Sequence, residues 1–71
     1  MIVRKVMRES GLTRAQMARD ANLSQDALWA WWKGARAATP GSLRKLAAGL
    51  RRRAARLQEL AAELERAAQE P

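Results

Sequence analysis

The sequence predicts an all-α fold, a compact domain of four helices whose last helix continues into a long C-terminal extension. Three observations carry that reading. Apolar residues recur at helical spacing in the segments punctuated by Gly11, Gly34 and Pro40. Side chains that cap helices stand where those segments would begin, at Thr13, Ser24 and Thr39. From Ser42 no proline interrupts the chain until residue 71, and Ala, Leu, Arg, Glu and Gln, all strong helix formers, make up most of that stretch.

A first helix is expected over residues 2–9, with Ile2, Val3, Val6 and Met7 on one apolar face and Ser10-Gly11 ending it. Arg4, Lys5 and Arg8 fall on its polar side, facing either solvent or phosphates. Thr13 followed by Gln16 is a capping box, and Met17, Ala18 and Ala21 point inward from the helix it opens. Asn22 ends that helix because Asn tolerates the left-handed backbone of a sharp stop. Ser24 opens the next segment, 24–33, where Asp26 in the first turn suits the positive end of the helix dipole. Gly34 stops it. A small Ala18 permits the two helices to approach, and helix, short turn, helix is the layout of a helix-turn-helix.

The three tryptophans divide by angle. With Leu28 taken as inward and ~100° per residue, Trp31 and Trp32 lie about 60° and 40° to either side, and Trp29 about 100° away. Trp31 and Trp32 are therefore expected to supply the aromatic mass of the core, with partial exposure allowed for Trp32. Trp29 shares the outer flank with Gln25, Asp26, Ala30 and Lys33.

Leu12-Thr13, Met17-Ala18, Leu23-Ser24, Leu28, Trp31 and Gly34, followed by Pro40, Leu43, Leu46, Ala47 and Leu50, stand in a register that resembles the phage repressor and Cro-like (XRE-type) helix-turn-helix domains. The resemblance covers residues 2–50. Asn22 replaces the usual Gly, and Arg14 replaces a Gln that contacts phosphate, which would make that contact charge-based. The resemblance implies that 24–33 is a recognition helix in the DNA major groove. Gln25 aligns with the family's adenine-reading Gln, and an amide can bond both N7 and N6 of that base. Asp26, Trp29 and Ala30 would join it at the bases. Trp29 has three candidate roles: packing on thymine methyls, anchoring a protein partner, or covering the seam between helices. Asp26 suits the helix terminus better than a cytosine amino group, because phosphates repel it. Thr13, Arg14, Ser24, Lys33 and Arg36 would hold the backbone, the last two bracketing the loop 35–38.

Composition sets bounds on function. The chain has 71 residues, no Cys and no His, which removes disulfides, thiolate metal sites, the usual zinc ligand and the usual general base. No catalytic residue, cofactor or metal site is expected, since the acids are scattered and no nucleophile–base constellation or phosphate loop is present. No apolar run nears the ~18 residues of a membrane span and no signal peptide is visible, so a soluble, cytoplasmic or nucleoid-associated protein is expected. A basic membrane-surface helix fits poorly, because Gly11, Gly34 and Pro40 break the chain. The net charge of +7 is unevenly spread: residues 1–53 carry twelve Lys/Arg and three acids, residues 54–71 two Arg and four Glu. A basic body suits a polyanion and a mildly acidic tail suits a protein contact.

Thr39 caps a fourth helix over 40–69, with Pro40 at its first position, where the missing N–H has no role. Gly49 is its one weak point. Leu43, Leu46, Leu50, Arg53, Leu57, Leu60, Leu64 and Ala67 fall on successive a and d heptad positions. Arg53 breaks that seam and divides a domain, 1–53, from an extension, 54–71. Ala54, Ala61 and Ala68 occupy e positions and widen the apolar face. A small core needs support, so Leu57, Leu60, Ala61 and Leu64 are assigned to a homodimer interface. Antiparallel pairing is favoured because it sets Arg56 against Glu63 of the partner; a tail folded back on its own domain is the competitor.

The expectation is a dimeric transcriptional repressor of phage or bacterial type, binding an inverted repeat in double-stranded DNA. The competing expectation is an antitoxin or adaptor that grips another protein through Trp29 or the Leu57–Leu64 face.

Overall fold

The computed structural model describes residues 2–70 and contains four α-helices: α1 Ile2–Ser10, α2 Arg14–Ala21, α3 Gln25–Lys33 and α4 Pro40–Gln69. No strand occurs among the described residues, and the protein is all-α. The molecule is elongated, 55 × 20 × 17 Å, because the C-terminal half of α4 projects beyond the bundle.

Local chemistry sets the helix boundaries. The Thr13 hydroxyl accepts from the Gln16 N–H at 3.1 Å while the Gln16 side chain accepts from the Thr13 N–H at 2.8 Å, closing the capping box. Ser24 accepts from Ala27 and Thr39 from Ser42, each at 3.1 Å, so α3 and α4 begin one residue after their caps. Asn22 adopts the left-handed conformation, φ 55°. The chain then folds back so that Leu23 donates its N–H to the Ala18 carbonyl at 2.9 Å and Asn22 donates to the Arg19 carbonyl at 3.3 Å, which closes the last turn. Gly34 repeats the device at φ 84°, with the Ala35 N–H on the Ala30 carbonyl at 2.9 Å.

α2 lies chiefly against α4, and α3 against α2 and α1. The core consists of Val3, Met17, Ala18, Ala21, Leu28, Trp31 and Leu46, with Val6, Met7, Leu12, Leu23 and Leu50 packed on its margin. Leu28 is wholly enclosed, and burying such a side chain contributes about 1.5–3 kcal/mol. No helix among the described residues is long and apolar enough to cross a membrane.

Packing accounts for several features of the sequence. Ile2 shares the apolar face of α1 with Val3 and Val6 and stands 55% exposed at the lip of a groove between α1 and α4. Gly49 is not a weak point but the place where α4 crosses α2. It is buried, and a Cβ there would sit 2.9 Å from the Ala21 nitrogen and from the Asp20 carbonyl carbon and oxygen. Arg53 breaks the leucine seam for a structural reason: its guanidinium pairs with the Asp20 carboxylate, and Arg52 donates to the Asp20 carbonyl. The tail does not fold back, since α4 is a single helix from Pro40 to Gln69.

Candidate nucleic-acid interface

The outer flank of α3 and the N-terminus of α2 meet in a shallow open depression. Thr13, Arg14 and Ala15 line it from α2, Gln25, Trp29 and Trp32 from α3, and Met7 from α1. Gln25 and Asp26 occupy the first turn of α3 and are exposed, as are Lys33 at its end and Arg36 in the loop. Ala30 is half-buried, and its carbonyl accepts from the N–H groups of Ala35 and Arg36. Thr13 and Ser24 are exposed, and their hydroxyl oxygens act as helix caps. The structure therefore gathers Thr13, Arg14, Gln25 and Trp29 around one depression, with Asp26 beside Gln25 on the first turn of α3. Lys33 reaches the same Trp29, while Arg36 lies beyond it on the loop.

A stack of rings and cations organises the depression. Trp29 and Trp32 lie nearly parallel, 11° apart with centroids at 5.1 Å. The Arg4 guanidinium sits 4.5 Å from the Trp32 centroid and donates to the Trp32 carbonyl at 2.8 Å. Over Trp29 lie the Arg14 guanidinium at 4.9 Å and the Lys33 ammonium at 5.3 Å. Offset aromatic pairs contribute about 0.5–1.5 kcal/mol beyond their burial, and each exposed cation over a ring about 0.5–1 kcal/mol. The stack ties α1, α2 and α3 together across their solvent side. It also holds Trp29 between Trp32, Arg14 and Lys33 while leaving the indole 40% exposed.

This arrangement answers the angular reading of the tryptophans. Trp31 is buried, Trp32 half-buried and Trp29 40% exposed. Only one indole belongs to the core; the other two form a surface pair. Residues three apart are neighbours on a helix surface, so the spacing of Trp29 and Trp32 carries the signal, which the expectation of Trp32 as core mass obscures. Arg4 was placed only on a polar face, and no local spacing marks its reach to Trp32, 28 residues away.

The charge around the depression is mostly positive. Arg4, Arg14, Lys33 and Arg36 surround it, against Asp26 at the start of α3. All four cations are exposed, so their charges remain available to a polyanion. Among the described residues no group of His, Cys, Asp or Glu could hold a metal ion.

The C-terminal half of α4 presents a second surface. Leu57, Leu60 and Leu64 are exposed, Leu64 by 73%. Ala61 is exposed beside them. Arg56 pairs within its own helix with Glu59 at 3.1 Å. Comparison of the chain with family models, with characterised proteins and with solved structures returns no match.

Proposed function

We propose that the protein binds double-stranded DNA sequence-specifically as a homodimer and acts as a small transcriptional repressor of phage or bacterial type. The observation that supports this most is the outward face of α3: Gln25 and Trp29 stand exposed on a helix capped at both ends, flanked by Arg14, Lys33 and Arg36. A helix of this kind fits the major groove, where Gln25 would read adenine and Trp29 would pack on thymine methyls. The flanking cations would fix the docking register through phosphates without reading sequence. Two subunits would read an inverted repeat with half-sites about 34–36 Å apart.

Selection of bound sites from a randomised duplex pool tests the reading. The expected product is a symmetric site, and Gln25→Ala should lose about 1–3 kcal/mol on that site while random duplex is bound as before. An unchanged ratio of selected to random binding rejects base readout by Gln25. No duplex binding even at low salt rejects the DNA-binding reading altogether.

A second reading, an adaptor or antitoxin that contacts another protein, is favoured by the exposed Leu57, Leu60 and Leu64. Isolated exposed leucines need no explanation, but three on one helical face invite a partner.

A further inference from the structure

The leucines of the projecting tail and the groove in the body belong to one strip of α4. Leu43, Leu50, Leu57 and Leu64 recur every seven residues, and Ala47, Ala54, Ala61 and Ala68 follow each by four. That spacing puts all eight on one helical stripe. In the body, Leu43, Ala47 and Leu50 form one wall of an apolar groove whose other wall is Ile2, Val3 and Val6 of α1. Ile2 and Leu43 are left substantially exposed at its rim. In the tail the same stripe has no wall opposite it.

We propose that the groove is filled by the α4 tail of a second copy of this chain, running antiparallel, so that each tail lies in the other's groove. The inference rests on the self-association part of the proposed function and not on DNA binding. Three observations choose this occupant. The first is length. The tail, 54–69, is ~24 Å of helix, whereas the stripe from Leu43 to Ala68 is ~38 Å. Tail-to-tail pairing would leave Ile2 and Leu43 uncovered, and a stable interface needs about 800 Å² from each partner.

The second is charge. Residues 40–53 carry five cations and no acid, while 54–70 carry four Glu and two Arg. Antiparallel overlap sets the acidic half of each helix on the basic half of the other; parallel overlap sets like on like. The third is shape. A register centred between residues 55 and 56 places Ala47 opposite Leu64 of the partner, Leu50 opposite Ala61 and Ala54 opposite Leu57, large against small throughout. The same register brings Arg44 beside Glu65 of the partner.

The chain has no native cysteine, so introduced thiols report pairing without background. Ala47→Cys and Leu64→Cys should each stay uncrosslinked alone and form a disulfide-linked dimer when mixed and oxidised. Crosslinking of Leu64→Cys with itself indicates parallel helices and overturns the proposal. Self-crosslinking of Leu60→Cys, with none between the mixed variants, indicates tail-to-tail pairing and also overturns it. Ile2→Glu supplies a second measure. It should weaken the dimer roughly tenfold or more in sedimentation equilibrium while leaving monomer helicity by circular dichroism unchanged. A dimer indifferent to Ile2→Glu rejects the groove. A wild-type chain that sediments as a monomer at every concentration rejects both the groove and the dimer, and leaves DNA binding to be judged by its own titration.

Discussion

Gly49 shows how a single residue is decided by its surroundings. In an isolated helix, Gly→Ala gains about 1 kcal/mol of helix propensity. Here the new Cβ would meet the Asp20 and Ala21 backbone at 2.9 Å, and backbone cannot step aside as a flexible side chain can. Overpacking of this sort costs about 1–3 kcal/mol, so Gly49→Ala should be destabilising in urea titration. A stabilised variant would mean that α2 and α4 cross less closely than described. Beside it, Asp20 holds Arg53 through its carboxylate and Arg52 through its carbonyl. Both partners of the ion pair retain about a quarter of their side-chain exposure, so Asp20→Asn should cost about 1 kcal/mol, and less at high salt. The Trp29–Trp32 stack has its own signature. Trp29→Ala and Trp32→Ala should each abolish the circular dichroism of coupled indoles, whereas a freely rotating Trp29 would give no such band to lose.

At the scale of the element, the turn between α2 and α3 determines how α3 is presented. Thr13 and Ser24 satisfy N–H groups at the starts of α2 and α3, and Asn22 supplies the left-handed residue between them. Thr13→Ala should therefore cost about 1 kcal/mol in thermal or denaturant unfolding. Asn22 separates two effects: Asn22→Gly should be tolerated, while Asn22→Ala should lose about 1–2 kcal/mol through steric strain in the left-handed region. Equal behaviour of the two variants would show that the turn does not depend on that conformation. α4 has a different logic. Its N-terminal half is held by Leu46, Gly49 and Arg53 against α2, and beyond Arg53 the side chains are almost all exposed. Helices of good intrinsic propensity persist without tertiary contacts only marginally in water, which is a further reason for the tail to have a partner.

For the molecule as a whole, the division at Arg53 is testable by truncation. Residues 1–53 contain every buried side chain of the core, so that fragment should remain helical and unfold cooperatively, with a melting temperature independent of concentration. The full chain, stabilised by mass action if it dimerises, should melt higher as its concentration rises. Binding to duplex DNA should be steep in salt: about five phosphates neutralised per subunit give a slope of roughly −4 to −5 in log K against log salt. A shallow slope would indicate that Arg14, Lys33 and Arg36 do not meet the backbone.

The helices and their ends are written in the chain locally, because caps, turn residues and helix formers act within a few residues of themselves. Thr13 with Gln16, Ser24, Asn22, Gly34 and Thr39-Pro40 set boundaries legible without any tertiary knowledge, and the periodicity of Met17, Ala18, Leu28 and Trp31 gave most of the core. The exposed placement of Gln25 and Trp29 followed from the same angles. Tertiary packing explains why Gly49 breaks the run of strong helix formers and Arg53 the leucine seam, since Gly49 answers to the backbone of Asp20 and Ala21 and Arg53 to the Asp20 carboxylate, some thirty residues earlier. The same packing brings Arg4 across to Trp32 and sets the apolar Ile2 at the rim of a groove. Contacts between distant segments depend on how helices cross, and crossing geometry is set by the sum of all packed surfaces rather than by any local run of residues.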